Sequence, residues 1–439
     1  MQLRRAPVGR STIGRAQLAA SARLSTRFRG SGAKPRRTEW TGAARAGPQG
    51  LVISHADATL KGMEKMTRRL LIYRLGSLGD MVVALPALHL AARAFPHAER
   101  RMLTNFPVNA KAPAAAEVLQ GSGLVHGYMR YTVGTRSLRE LLSLWWSVTR
   151  WRPEALVYLA AARGVKVARR DELFFRLCGV RRLIGVPMTE GMQRNFYGAA
   201  TGGKDRAMGN GNLEPEAGRL ARCIGELAAA ADIADPGRLR DPGSWDLHLS
   251  TEEKQGVEEL LEAGEWRGER IAVSVGTKVQ AKDWGRDNWK ELLGRMAKEF
   301  PQRGLLLIGA AEESEASRFA AQGWSENGGG PVLDLCGRLT PRQSAAAIAQ
   351  ARLFVGHDSG PMHLAAAVGT LVVAIFSARN IPRQWFPFGQ QHRVIYHRVE
   401  CWGCGLETCI EKEKKCLMSI TVDEVMAEVR AALVQPSVR

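Results

Sequence analysis

The 439-residue chain has no stretch of about 18 apolar residues without charge, so an ordinary transmembrane helix is not expected. Its most apolar long segment, 81–92, is too short to span a bilayer and includes His89. No apolar core follows the basic start, which argues against a secretory signal peptide. Aromatics are not interleaved with the basic residues, and no known nucleic-acid-binding module is present, so nucleic acid is not expected as a partner. Cysteine is sparse at seven residues. Cys178, Cys223 and Cys336 are scattered and read as buried apolar residues rather than reactive thiols. A reducing, cytoplasmic setting follows.

What is present is a globular balance, 45% apolar and 24% charged, in a chain long enough for two domains. The net charge of +19 is uneven. Residues 1–66 hold thirteen Lys and Arg against Glu39, Asp57 and Glu64, a net +10, which leaves +9 for the rest. A basic body suits an anionic partner: a nucleotide diphosphate, a phosphorylated glycolipid, a membrane face or nucleic acid. The first 62 residues are rich in Arg, Ser, Ala and Gly with little periodicity, and are expected to be a disordered tail. Their composition also suits a transit peptide or a basic arm, and Met63 and Met66 lie just before the first strand.

From Arg69 onward, short apolar runs alternate with helical patterns. Runs at 70–73, 155–159 and 182–186 form one set; those at 271–275, 304–309, 353–356 and 370–376 form another. Continuous apolar strands alternating with helices predict parallel sheets covered on both faces. Loops are expected over 198–215, and over 235–244, where Asp-Pro-Gly occurs twice and the pattern restarts. The fold class is therefore α/β: two doubly wound Rossmann-like domains facing a cleft. The expected divisions are a tail over 1–66, a first domain over 67–240, a second over 250–420 and an amphipathic helix over 421–434.

Three motifs fall at strand ends. In Arg74-Leu75-Gly76-Ser77-Leu78-Gly79-Asp80, two glycines allow a sharp turn that brings Asp80 to the start of a helix of apolar residues reaching about Phe95. The turn lacks the G-x-G-x-x-G spacing of dinucleotide-dependent oxidoreductases. From the residues alone, Asp80 is either a helix cap or a cleft carboxylate. Gly276-Thr277-Lys278 with Lys282-Asp283-Trp284 offers a hydroxyl, amides and ammonium groups that suit a diphosphate. In Gly356-His357-Asp358-Ser359-Gly360-Pro361-Met362-His363, Ser359 or Asp358 is expected to cap a helix whose amides form an anion site.

Taken together, these motifs resemble glycosyltransferase family 9, which includes the ADP-heptose:lipopolysaccharide heptosyltransferases. The resemblance rests on Ser77-Leu78-Gly79-Asp80, on Pro86, Leu88 and Phe95-Pro96, on Lys282-Asp283-Trp284 with Trp289, and on Gly309 through Glu313. Its most specific element is Asp358-Ser359-Gly360-Pro361-Met362-His363. It covers about residues 68–433 and implies the GT-B architecture, with inversion at the anomeric carbon and no catalytic metal. Asp80 would be the general base, with Ser77 and Gly79 on the acceptor side. Thr277 and the catalytic Lys282 would stabilise the departing diphosphate, helped by the amides near Ser359 and Gly360, and Lys278 would belong to the donor site. Glu312 or Glu313 would hold the ribose, and Asp358 and His363 would line the donor site. The implied partners are ADP-heptose or a similar donor and a lipopolysaccharide-core or related glycolipid acceptor, met at the cytoplasmic face of the inner membrane. The segment 376–380, Phe-Ser-Ala-Arg-Asn, departs from the Gly-Pro-Thr-type turn of many heptosyltransferases, so the resemblance leaves the donor sugar open.

Cys401, Cys404, Cys409 and Cys416 lie within sixteen positions. They suit a closed structural zinc site or packed thiols that pin a loop; four protein ligands would leave no position open for catalysis. Two other functions are compatible with parts of the sequence: a sugar-nucleotide epimerase of similar architecture, and a non-catalytic basic protein that binds nucleic acid or membrane. The second leaves the 358–363 motif unexplained.

Overall fold

The computed structural model describes residues 67–106, 115–135, 137–195, 214–230, 239–263 and 266–434. The tail over 1–66 and most of the 198–215 loop lie outside them, as do residues 235–238 of the linker.

The apolar runs become parallel strands, as expected. The first sheet has the order β3-β2-β1-β4-β5, from β1 (Arg69–Tyr73), β2 (Glu99–Asn105), β3 (Gly127–Tyr131), β4 (Ala155–Tyr158) and β5 (Arg182–Ile184). The second runs β11-β10-β9-β6-β7-β8, from β6 (Arg270–Ser274), β7 (Gly304–Leu307), β8 (Val332–Asp334), β9 (Leu353–His357), β10 (Leu371–Phe376) and β11 (Arg393–Tyr396). Every strand pairing is parallel. Strand order reverses between β1 and β4 in the first sheet and between β6 and β9 in the second. Ligands of open α/β sheets bind at such reversals, beyond the carboxyl ends of the strands. The Asp80, Thr277 and Asp358 motifs follow β1, β6 and β9.

Four strands escaped the sequence pattern: β2, β3, β8 and β11. In β2 the run Glu99-Arg100-Arg101 hides the strand. The Arg100 side chain is nevertheless buried, because its guanidinium donates to the carbonyls of Phe95, Gly123 and Leu124. The helix expected to reach Phe95 is two helices, α1 (Leu78–Val83) and α2 (Leu85–Ala94). Pro86 has no N–H to continue the first, and it sits in the opening turn of the second.

Helices α3 (Leu138–Trp151) and α4 (Val165–Leu177) cover one face of the first sheet through Leu144, Val148, Trp151, Ala168 and Phe175. The other face joins a continuous apolar cluster that includes α1, α2, α6 (Pro341–Ala349) and α7 (Gly360–Ala367), so the two sheets share one core. Arg342 of α6 is buried at this joint. It pairs with Glu253 (2.6 Å) and donates to the carbonyls of Val118, Leu247 and His248.

The amphipathic helix expected over 421–434 is α8 (Val422–Val434), and it packs on the second half. Val425, Met426, Val429 and Ala432 pack on the second sheet with Trp284, Trp289 and α5 (Arg286–Glu299). The apolar stripe on α8 is thereby buried without reaching the first sheet.

Candidate active site

The turn after β1 fixes Asp80. Its Oδ2 accepts hydrogen bonds from the Ser77 amide (2.8 Å) and the Ser77 hydroxyl (2.9 Å). Its Oδ1 lies 3.3 Å from Nη2 of Arg74, whose side chain is fully buried. Arg74 also donates to the carbonyls of Asp80 (2.8 Å) and Leu159 (2.7 Å). The carboxylate therefore both caps α1 and is held by a buried cation, yet 24% of its side chain stays open to solvent. Gly76 makes the fold-back possible. Its φ is +142°, and a Cβ there would fall 2.3 Å from Asp80 Cγ.

On the facing side, the motif after β9 does not behave as an ordinary cap. Asp358 turns away from the helix start and forms an ion pair with Lys282 (2.8 Å), and it also accepts from Asn380 Nδ2 (3.1 Å). Lys282 donates to the Asp358 carbonyl as well (3.0 Å). Ser359 occupies the N-cap position but makes no capping hydrogen bond, and its hydroxyl is buried without a partner among the described residues. The cap expected at Ser359 or Asp358 is thus absent. The start of α7 presents an uncapped helix terminus beside an orphaned hydroxyl and an ammonium, as an anion site requires.

Leu78 and Gly79 of α1 bring the two motifs together. A Cβ on Gly79 would lie 2.9 Å from His363 Cδ2, and one on Gly360 would lie 2.7 Å from Leu78 Cδ2. His363 is buried between the halves, under the influence of Asp358 and Lys282 on one side and Asp80 on the other. Burial pushes its ring down to about 4, so it is neutral near pH 7.

The loop after β6 completes the cradle. Thr277 Oγ1 accepts from the Val279 amide (3.3 Å) and shapes the turn. Glu313 tucks between the ends of β6 and β7 against Gly276 and Gly309, and accepts from the Ala310 amide (2.8 Å). Burial raises its carboxyl, opposed by that amide and by Lys278. Glu312 points outward and is exposed. Of the two acids, Glu313 is the one turned toward the strand ends.

Residues 228–415 match the sequence model of glycosyltransferase family 9 (heptosyltransferase). Over those residues, less than half of its length, the chain is similar to that family. It is 31% identical over 100 residues to lipooligosaccharide heptosyltransferase 2 of Campylobacter jejuni, covering 23% of this chain and 31% of that protein. It is 30% identical over 167 residues to lipopolysaccharide heptosyltransferase 2 of Escherichia coli, covering 35% of this chain and 44% of that one. The chain spans between 31% and 44% of the length of these curated relatives. The solved structure of E. coli ADP-heptose lps heptosyltransferase II superposes with a TM-score of 0.54 at 19% identity, over 84% of this chain and 99% of that one. The shared architecture is the GT-B type.

Sequence reasoning missed two residues that shape the candidate site. Arg74 stood inside a quoted motif without a role. His357, fully buried, accepts at Nε2 from the Trp284 amide (3.1 Å) and from Trp289 Nε1 (3.2 Å), and so holds the Lys282 segment against β9. Its place beside Asp358 was the only signal.

The cysteine loop supports the same region from behind. Cys416 Sγ accepts from the Ala378 amide (3.3 Å), and Gly403 donates to the Ala378 carbonyl (2.7 Å). The Cys409 amide donates to Gln280 Oε1 (2.9 Å), and Lys414 Nζ donates to the Asp283 carbonyl (2.7 Å). The loop thereby pins the segments on either side of Lys282 and the residues just before Asn380. All four thiols are free, and among the described residues no three His, Cys, Asp or Glu side chains form a metal-ligand set. Burial raises the Cys416 thiol, and it pushes those of Cys178 and Cys336 to about 11 and about 12. Cys178 and Cys336 are the inert buried residues expected; Cys223 is only half-buried.

Proposed function

We propose that this chain is an inverting glycosyltransferase that moves a heptosyl group from ADP-heptose to a lipopolysaccharide-core acceptor at the cytoplasmic face of the inner membrane. One observation carries the reading: the Gly79–His363 contact sets a fixed carboxylate and an uncapped helix terminus on facing sides of one cleft. The acceptor hydroxyl oxygen attacks the anomeric carbon while its proton passes to Asp80. The bond to the diphosphate breaks, and its electron pair goes to the departing phosphate oxygen.

Ser77 and Gly79 border the acceptor. The α7 amides, the Ser359 hydroxyl, Thr277, Lys278 and the remaining N–H of Lys282 face the diphosphate, and Glu313 faces the ribose. Asp358 and His363 line the donor side. Residues 67–240 act as the acceptor half and 250–420 as the donor half, to which α8 belongs. No cofactor takes part in the reaction, and no nucleic acid is a partner. A zinc on the four thiols would be structural. It would require them to close into a ligand set, and elemental analysis of protein purified without chelator checks this directly: one equivalent of zinc supports it, and none leaves hydrogen-bonded thiols to pin the loop.

Replacing Lys282 with Ala tests the donor side. The change removes a cation from the diphosphate site and also leaves the Asp358 carboxylate buried and unpaired, so it should cost about 3 kcal/mol of stability. The rise in melting temperature on adding ADP-heptose should shrink well below the wild-type rise, and turnover should fall with it. An unchanged ligand-induced rise would remove Lys282 from the donor site.

A further inference from the structure

Helix α3 carries two apolar faces. Leu144, Val148 and Trp151 are buried against the first sheet. Leu138, Leu142 and Trp146 form a second stripe, spaced four residues apart, that points outward. Beside it, α4 exposes Leu173 and Leu177, and Trp145 Nε1 donates to the Leu177 carbonyl (3.1 Å), which joins the two helices into one surface. These five side chains are between 59% and 76% exposed, and most of the strongly exposed large apolar residues among the described ones lie between 133 and 177. A patch of this kind on a water-soluble surface marks an interaction site.

The charges around the patch choose the partner. Lys166 and Arg170 share the outward stripe of α4 with Leu173 and Leu177, at spacings of four, three and four residues, and Arg169 and Arg176 flank it. Arg139 and Arg150 flank the α3 stripe, and Arg69, Arg101 and Arg130 join Arg150 along a groove of about 630 Å³ under α3. The nearby acids are fewer: Asp171 pairs with Arg163 and Arg170, and Glu172 with Arg176, while the exposed Lys166, Arg169, Arg139 and Arg150 keep the rim basic. Outward Leu and Trp ringed by Arg and Lys is the make-up of a helix lying in the interface of an anionic bilayer. A crossover helix starts at the carboxyl edge of its sheet, so the first turns of α3 and α4 stand on the cleft side of the first half.

We infer that the outer face of α3 and α4 seats the first half of the protein on an anionic lipid bilayer. The inference deepens the proposed function by assigning the surface through which a membrane-borne acceptor is approached. Its test does not involve sugar transfer, so either idea can fail alone.

The full chain is sedimented with vesicles of phosphatidylcholine, and with vesicles of phosphatidylcholine mixed with phosphatidylglycerol. The wild type should bind the mixed vesicles and bind the neutral ones poorly. Leu142→Ser with Trp146→Ser should weaken binding at least about tenfold, because two interfacial apolar groups are lost. Both side chains are exposed, so the melting temperature should hold. Lys166→Gln with Arg169→Gln should reduce the preference for anionic vesicles in a variant that keeps both the apolar stripe and the Arg170–Asp171 pair. Binding of the Leu142/Trp146 variant at the wild-type level overturns the inference and moves the contact elsewhere, the basic first 66 residues included. No wild-type binding overturns it too. A change of oligomeric state in that variant, with vesicle binding intact, would instead make the face a contact between copies of the chain.

Discussion

Asp80→Asn should reduce turnover by roughly 10²-fold or more while leaving donor affinity close to wild type. The acceptor oxygen must shed its proton as it attacks, and an amide cannot take it. Asn keeps the size of Asp and can still accept from the Ser77 amide, so the α1 cap is largely preserved. The change does remove the charge partner of the buried Arg74, so a modest loss of melting temperature accompanies it. The two consequences separate cleanly: turnover per folded molecule reports the base, and the melting temperature reports the cap. Near-normal turnover with a lowered melting temperature would make Asp80 a helix cap alone.

Acid should destabilise the fold strongly between pH 6.5 and 4. His357 and His363 are buried, and burial pushes both rings down to about 4. In the unfolded chain each takes up its proton near pH 6.5, so between these values the unfolded state binds more protons. Stability is therefore complete above 6.5 and falls as the pH drops toward 4, by on the order of 5 kcal/mol for the pair. Urea unfolding followed across this range should show the midpoint sliding down. His357→Gln, which carries no titrating ring, should remove only its own share of the slope, since His363 and His392, whose rings burial likewise pushes down to about 4, still titrate. A midpoint constant from pH 7 to 4.5 would mean that the rings stay accessible to protons in the fold.

The parts of the fold that were readable are those that local chemistry fixes. Continuous apolar runs revealed β1, β4, β6, β9 and β10, because strands buried on both faces leave little room for polar residues. Strand β2 was not readable, because burial of Arg100 depends on carbonyls supplied by residues 95, 123 and 124 after folding. The motifs located the site, but not the polarity of their contacts. Nothing local pairs Lys282 with Asp358 across 76 positions, and nothing local shows that Ser359 makes no capping bond. Likewise, a buried Arg74 is improbable from sequence statistics, and only the fold shows it gripping Asp80.

Sugar transfer itself tests the central claim most directly. Wild-type protein is incubated with ADP-heptose labelled in the sugar, with and without a heptose-deficient lipopolysaccharide acceptor. The account predicts that label moves to the glycolipid only when acceptor is present, with ADP released in equal amount and the anomeric configuration inverted. Label that stays on the nucleotide, or a donor sugar that is isomerised without acceptor, would contradict it.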